Sequence, residues 1–492
     1  MPKNFYITTT LPYVNARPHI GHALEFVEAD VIARFHRMQG EEVIFNTGVD
    51  EHGIKIYEKA LELGMAPQAY CDSMVSHFES MKVLLNMSYT HFVRTTDEHH
   101  IRAAQEFWRL CELSGDIYKK QYQVKYCKGC ELEKTDSDLD HGTCPNHPQA
   151  EIQLIDEENY FFRFSRYQDT LLKLYSEQED FVIPRKRLNE IKAFVERGLQ
   201  DFSISRLKSK MPWGIPVPGD DHHVMYVWFD ALVNYISTLG WPENKESFDA
   251  FWPAVQICGK DNLRQQSAMW QAMLLSAKLP TSKQILVNGF IQVGGQKMSK
   301  SLGNTISPED MVERFGVDGA RYLLLSGASI GEDIDFTWER LTEKFNADLA
   351  NGLGNLVSRV MKLAQKSDVF AQEVERGATW LDFVKIDEDN EIKDIKVNKE
   401  TNEYNKRLAS YRLSSGLEYI WGSIGGANAH IELSKPWELV KTNKDEFEHR
   451  IHIMLGELAT IAYMLEPFLP ETSEKIKKML MGAESEILFQ RL

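Results

Sequence analysis

The chain has 492 residues, 43% of them hydrophobic and 26% charged, with a formal net charge of −16. That length supports about three domains and more than one sizeable core. The acidic balance excludes wholesale electrostatic binding of nucleic acid, which needs clustered cations, and no apolar run is long enough to span a bilayer. Without a secretory leader ahead of the first predicted strand, a cytoplasmic location is expected. That strand is Phe5–Thr10, dense in aromatic and β-branched residues and broken by Pro12. Pro18-His19-Ile20-Gly21-His22 follows. Ala23 to Gln39 then shows helical periodicity, with Leu24, Val27, Val31 and Phe35 on one face and Gly40 as its stop. The two histidines therefore sit at a strand-to-helix junction, where unpaired backbone N–H groups and the helix dipole favour an anion. Gly21 lets a flat ring approach the backbone. No third ligand lies nearby, so His19 and His22 suit the phosphates of a nucleotide better than a metal.

Glu42–Val49 predicts a second strand, ending in Asp50-Glu51-His52-Gly53. A carboxylate at a strand's C-terminal end sits where open α/β sheets bind ligands. Asp50 is read as the partner of a substrate ammonium group; the plain alternative, compatible with it, is an N-cap for the helical pattern Ile54–Leu63.

At Tyr118 the character changes. A strand-like run, Tyr122–Tyr126, leads into Cys127-Lys128-Gly129-Cys130, then thirteen mostly polar residues, then Cys144-Pro145-Asn146-His147. C-x2-C followed by C-x2-H supplies Cys127, Cys130, Cys144 and His147 at the spacing of a closed tetrahedral zinc site. The intervening segment cannot hold a core of its own, so a metal would supply the folding energy. Four ligands without a vacancy mean a structural site. Cys71, Cys111 and Cys258 are scattered and read as small buried hydrophobes, not a disulfide framework. Beyond the knuckle, Arg185, Lys186, Arg187, Lys192, Arg197, Arg206, Lys208 and Lys210 form the candidate basic face for a polyanion.

Val224–Trp228 reads as a strand opening a helix, on which Trp228, Ala231 and Tyr235 share one face. At the mouth of a sheet such a face can wall in a long, polarisable side chain. Ala254–Cys258 predicts a further strand, running into Gly259-Lys260-Asp261-Asn262 and a helix from Leu263 to Leu275. Gly259 and Asp261 are candidates for ribose and adenine, with Asp261 also a simple N-cap. Gln266 and Trp270, four residues apart on that helix, are expected to face the pocket.

A strand over Ile285–Val293 and a Gly294-Gly295 turn precede Lys297-Met298-Ser299-Lys300-Ser301. Two lysines three residues apart make a mobile cationic loop, able to close on a triphosphate and stabilise charge during displacement at the α-phosphate. Ser307-Pro308-Glu309-Asp310 is a helix-capping box. From about Phe345 the pattern is helical, interrupted by an acidic stretch, Glu373–Glu400, read as an exposed connection. Asn355 and Arg359 project together from one helix. After a helix at Ile424–Leu433 comes Lys435-Pro436-Trp437, whose tryptophan either stacks on an unpaired base or sits in the core.

The histidine string and the lysine string, in this order and each after a strand, resemble the two signature motifs of a class I aminoacyl-tRNA synthetase. Over essentially its whole length the chain resembles the methionine-specific branch of that class. The resemblance rests on Leu11-Pro12-Tyr13, Val49-Asp50-Glu51-His52-Gly53, the single Cys/Cys/Cys/His knuckle, Val227-Trp228-Phe229-Asp230-Ala231, Gly259-Lys260-Asp261, Lys297–Ser301, Asn355–Arg359 and Lys435-Pro436-Trp437. It implies a Rossmann-type parallel-sheet α/β catalytic domain (1–116 and 224–293) split by a zinc-knuckle insertion (117–223). A lysine-loop and stem-contact region (294–345) and an all-α anticodon-binding bundle (346–492) would follow. It implies methionine against Leu11, Tyr13, Trp228, Ala231, Tyr235, Gln266 and Trp270, with Asp50 on its ammonium. ATP with Mg2+ would lie over His19, Gly21, His22, Gly259 and Asp261. Lys297 and Lys300 would close over it. The anticodon of tRNA(Met) would be read by Asn355, Arg359 and Trp437, by a monomer with no membrane association.

The chain departs from the family where a histidine commonly stands near the substrate sulfur. Here Gln266 occupies that place, beside Gln265 in place of an aromatic. An amide can donate to a thioether but has no titrating proton, so methionine specificity is expected to survive with a weaker pH dependence near neutrality. Two alternatives are a class I enzyme of another specificity and a non-catalytic RNA-binding paralogue. The span from His22 to Lys297 has no room for the large editing insertion of the leucine, isoleucine and valine enzymes, and the cysteine enzyme needs an open zinc site. The intact histidine and lysine strings weigh against the paralogue.

Overall fold

The computed structural model describes residues 3–130, 132–134, 138–298, 305–327, 330–384 and 399–492. Six parallel strands form the main sheet. In chain order its elements are β1 (Asn4–Thr8), the helix α1 (Ile20–Met38), β2 (Glu42–Val49), β3 (His91–Arg94), β4 (Val182–Ile183), β5 (Val255–Gly259) and β6 (Gln284–Asn288). They lie side by side as β3-β2-β1-β5-β6-β4. Ile7 is in register with Phe45 on one side and Val255 on the other.

The strands are apolar on both faces because both faces are covered. Ile7, Val255, Ile257 and Leu286 pack with α1 in one core. Their alternating neighbours Tyr6, Cys258, Ile285 and Val287 pack with Trp108, Phe229 and Trp270 in the other. Strand order reverses between β1 and β5, and ligand crevices open at such a switch point, beyond the carboxyl ends of the strands.

Four sequence expectations need correction here. The insertion does not run unbroken from 117 to 223, because β4 lies within that span and pairs with Ile285 and Leu286 at the sheet edge. Two residues are too short for any periodicity to announce them. The strand expected at Val224–Trp228 is Asp220–Met225, and the chain is already helical at Val227. The strand expected at Ile285–Val293 splits at Gly289. A Cβ there would stand 2.0 Å from the Glu332 carbonyl oxygen, so the chain bends away through a gap only glycine fits. Ile291–Val293 then joins a separate three-stranded sheet with Gln296–Lys297 and Ile334–Asp335. Finally, Arg187 and Arg206 of the basic face are buried, Arg187 against Glu190 and Arg206 over the Tyr226 ring.

Ile117–Cys127 pairs antiparallel with Ile152–Phe162 along its whole length, a two-stranded arm that carries the cysteine cluster at its tip. Helix Pro308–Ser326 starts at the capping box, with Ser307 and Asp310 bonded reciprocally. Beyond it, helices Asn355–Ala364, Leu413–Ser434, Lys444–Leu465 and Pro470–Leu480 bundle on a core continuous with the α1 face of the sheet. The acidic stretch expected as a connection begins at the end of helix Asp368–Glu375; its residues 385–398 lie outside those described. Among the described residues no helix is long and apolar enough to cross a membrane.

Candidate active site

A cleft of about 760 Å3 lies at the switch point. Its floor follows from how each strand ends. After β1, the segment Leu11–Tyr13 runs beside the end of β2. Asp50 N–H donates to the Pro12 carbonyl at 2.9 Å, and Val14 N–H donates to the Asp50 carbonyl at 3.2 Å. That pairing places Leu11, Tyr13 and Asp50 together on the cleft wall. The Asp50 side chain is buried and accepts from His52 N–H (3.2 Å) and the Thr95 hydroxyl (3.4 Å). It does not cap the next helix, whose N-cap is Gly53.

His19 is the N-cap of α1, and His22 is its third helical residue. His19 Nδ1 accepts from Gly21 N–H at 3.0 Å, while His22 Nδ1 accepts from His19 N–H at 3.3 Å. The rings stack at 3.8 Å between centroids. Both Nδ1 atoms are acceptors, so each neutral ring carries its proton on Nε2. Gly21 serves this cap directly: a Cβ there would meet the His19 ring at 2.8 Å.

Across the switch point, Gly259 closes β5. A Cβ on it would stand 2.6 Å from Asp261 Oδ1, so the carboxylate folds back over a bare backbone. Both residues line the cleft. Lys260, also on the cleft lining, grips Asp333 at 2.6 and 2.8 Å. The lysine string approaches from the far side. Lys297 ends the strand Gln296–Lys297 and Met298 lines the cleft, whereas Lys300 lies outside the described residues.

The aromatic wall is present, but not on one continuous helix. Val227–Ala231 and Asn234–Ser237 are separate short helices, and Trp228, Ala231 and Tyr235 all line the cleft. Trp228 meets Tyr13 edge-on at 6.4 Å. Gln266 lines the cleft too. Trp270 does not: Gln265–Met269 forms a π turn, whose wider coil carries Trp270 behind Tyr235. There it is fully buried, with its ring 5.9 Å from that of Tyr235.

Two features escaped the sequence reading. Glu25, one turn beyond His22 on α1, lines the cleft and accepts from Thr10 N–H at 2.6 Å. Burial pushes its carboxyl from 4.5 up to about 8, against the Thr10 bonds that pull it down. Its spacing of three from His22 was the available signal. Asp230 is fully buried between His52 (2.7 Å) and His100 (2.9 Å). Burial pushes its carboxyl up, but the two imidazoles hold it below the usual range. Asp230 thereby ties the Trp228 helix to the strand end that carries Asp50. No sequence spacing announces a contact between residues 52, 100 and 230.

Comparison with known proteins decides among the chemistries this cleft permits. The family model for class I (M) tRNA synthetases matches residues 5–157 and 149–361, and that for the anticodon-binding domain of methionyl tRNA ligase matches 385–488. The methionine--tRNA ligase of Thermotoga maritima is 39% identical over 96% of this chain and 74% of its own. That of Brucella suis is 38% identical over 97% of this chain and 92% of its own. The chain belongs to the methionyl-tRNA synthetase family. Among solved structures, Mycobacterium tuberculosis methionyl-tRNA synthetase in complex with methionyl-adenylate superposes with a TM-score of 0.86, at 34% identity, over 96% of this chain and 93% of that one. The activity is that of a methionine–tRNA ligase, which activates methionine with ATP and charges tRNA.

The remaining features of a methionyl-tRNA synthetase lie outside the cleft floor. The ligand atoms of Cys127, Cys130, Cys144 and His147 all lie within 4.8 Å of one another. Cys130 Sγ is 3.4 Å from Cys144 Sγ and 3.2 Å from His147 Nδ1. A tetrahedral zinc with Zn–S near 2.3 Å spaces its sulfurs about 3.8 Å apart, so the cluster is compatible with structural zinc. The knuckle also reaches the cleft, where Pro145, Asn146 and His147 are part of the lining and Lys55 Nζ donates to the Gly129 carbonyl at 2.7 Å. In the helical bundle Asn355 is exposed, and Arg359 pairs with Glu432 at 2.6 Å. Trp437 is 39% exposed just past Lys435, whose φ is 43°, so it is not a core residue.

Proposed function

We propose that this cleft binds methionine and ATP side by side and joins them as methionyl-adenylate, with the residue roles read from the sequence except that of Trp270. Asp50 takes the substrate ammonium, and Leu11, Tyr13, Trp228, Ala231, Tyr235 and Gln266 surround the side chain. His19 and His22 present Nε2–H donors to the phosphates of ATP, bound as its Mg2+ complex. Gly259 and Asp261 hold the nucleoside, with Lys297 and Lys300 closing over the triphosphate. The observation that carries this reading is convergence: the histidine cap, the Asp50 strand end, the Gly259-Lys260-Asp261 turn and Met298 of the lysine string line one cleft.

In the first step a methionine carboxylate oxygen attacks the α-phosphorus, and the bond to the bridging oxygen breaks as pyrophosphate leaves. In the second, a ribose hydroxyl of the terminal adenosine of tRNA(Met) attacks the acyl carbonyl, losing its proton as AMP departs. Neither step needs a covalent enzyme intermediate. Catalysis is positioning plus stabilisation of charge that develops on phosphate oxygens. Discrimination against leucine and isoleucine is worth only about 1–3 kcal/mol in an apolar pocket, so a close fit around an unbranched chain is required. Zinc on Cys127, Cys130, Cys144 and His147 would be structural, fixing the loop that packs against Lys55. Asn355, Arg359 and Trp437 read the anticodon, and the protein acts as a cytoplasmic monomer.

The test is exchange of labelled pyrophosphate into ATP with each amino acid in turn. Exchange with methionine alone is expected. Exchange with another amino acid reassigns the specificity, and its absence with all of them overturns the catalytic reading.

A further inference from the structure

Behind the aromatic wall lies a chain of buried amides that no motif accounts for. Gln256, Gln266, Gln271 and Ser282 are at most 2% exposed. Gln256 is on β5, Gln266 in the π turn, Gln271 on the helix that continues it, and Ser282 precedes β6. Only Gln266 of the four lines the cleft. Four buried polar side chains are costly unless every donor and acceptor is matched.

The matching has a direction, because one end is a backbone N–H that cannot reverse. Ser282 N–H donates to Gln271 Oε1 at 2.9 Å, which fixes the orientation of that amide. Gln271 Nε2 then donates to the Gln266 carbonyl (2.8 Å) and to the Ser282 hydroxyl oxygen (3.0 Å). With its oxygen engaged, the Ser282 hydroxyl donates to Gln256 Oε1. Gln256 Nε2 donates to Gln266 Oε1 at 3.3 Å, and Gln266 Nε2 donates to the Tyr235 hydroxyl oxygen at 2.5 Å. Tyr235 is therefore an acceptor from its own support. Among the described residues its hydroxyl proton meets no acceptor, and the residue lines the cleft.

We propose that Ser282, Gln271 and Gln256 are positioning residues for amino-acid selection: the relay they form with Gln266 turns the Tyr235 hydroxyl into a fixed donor for a weak acceptor on the substrate side chain. A thioether sulfur is such an acceptor, and a methylene in the same place is not. The relay thus favours methionine over its isostere norleucine by a polar term that apolar walls cannot supply. The inference rests on the reading that the methionine side chain lies against Tyr235.

Two variants test it in pyrophosphate exchange with methionine and with norleucine. Ser282→Ala cuts the relay in the middle and frees the Gln256 and Gln266 amides to reverse. Gln271→Met keeps the length but removes the amide that bonds the Ser282 N–H, the Ser282 hydroxyl and the Gln266 carbonyl. In both, kcat/KM for methionine is expected to fall about fivefold, the scale of one neutral hydrogen bond, while that for norleucine changes by less than about twofold. If Gln271→Met does not fold, Ser282→Ala carries the comparison alone. Equal losses for both amino acids would mean a merely structural network, and an unchanged ratio would mean the relay does not act on selection. Either result overturns the proposal. Failure of the underlying reading is distinct: the unaltered protein would then show no preference for methionine over norleucine at all.

Discussion

Arg321 joins the catalytic sheet to the helical bundle, and its removal should separate the two reactions the protein performs. The side chain is fully buried on helix Pro308–Ser326. Nε donates to the Phe468 carbonyl at 2.8 Å, Nη2 to Pro467 at 3.0 Å and Nη1 to Leu85 at 3.0 Å, and Nη2 pairs with Asp30 of α1 at 2.9 Å. Arg321→Met fills much of the volume but leaves those carbonyls without a donor. Asp30 retains Arg34 at 2.7 Å and the Ser88 N–H and hydroxyl at 2.6 Å each, so it is not orphaned. Breaking a buried pair costs about 3–5 kcal/mol, and an unsatisfied buried carbonyl adds about 1–3 kcal/mol unless water reaches it. With Asp30 still partnered, a net loss of about 5 kcal/mol is expected.

Urea unfolding followed by two probes, one in the sheet and one in the bundle, should show their transitions drawing apart. Methionine-dependent pyrophosphate exchange should be largely kept, while tRNA charging should fall at least about tenfold, because the helical anticodon-binding domain would lose its fixed distance from the cleft. The sign with pH is also set. Burial raises the Asp30 carboxyl, but Arg321 and then Arg34 hold it below the usual range. A depressed carboxyl contributes stability above its unfolded pKa and loses it as pH falls through the folded value. The gap between the two proteins should therefore narrow in acid. A loss below about 1 kcal/mol, or equal losses in exchange and charging, would refute the reasoning.

Glu25 gives the opposite pH signature. Its folded pKa is raised from 4.5 to about 8, so the native state keeps a proton that the unfolded chain has released, and stability falls as pH rises between those values. Glu25→Gln removes that slope, and its stability advantage should widen across the same window in thermal melts; a constant gap would refute the shift. Stripping metal with a chelator should expose the segment between Cys127 and His147 to protease and lower exchange activity, because that loop lines the cleft; unchanged proteolysis would show that no metal orders it. Trp437→Ala should leave pyrophosphate exchange within about twofold and cut tRNA charging about tenfold, the scale of one lost base stack. Equal loss in both reactions would remove Trp437 from anticodon reading.

The sequence disclosed what chemistry demands at fixed short spacings. His19 and His22 are three residues apart because one caps the helix and the other answers it. The four knuckle side chains come as two close pairs, which lets all four ligand atoms converge within 4.8 Å of one another. Asp50 and Gly259 were legible from their places at strand ends. Trp270 was misplaced because an i, i+4 argument assumes α geometry, and a π turn between Gln265 and Met269 shifts every residue after it. The edge strand Val182–Ile183 was missed because pairing with β6, not its own pattern, makes it a strand.

The supporting layer was illegible for a different reason. His52, His100 and Asp230 come from three stretches of chain, as do Gln256, Gln271 and Ser282 from the other side of the cleft. A reacting group must be one of a few residue types, whereas its support needs only a matched donor or acceptor, which many side chains can provide. Sequence alone therefore exposes the groups that line the cleft and hides those that aim them. Gln266 belongs to both classes: it faces the cleft, and it transmits an orientation that begins at the Ser282 backbone. A glutamine at such a position holds one orientation only if the layer behind it also fixes the amide, and in this chain that layer is two more glutamines and a serine.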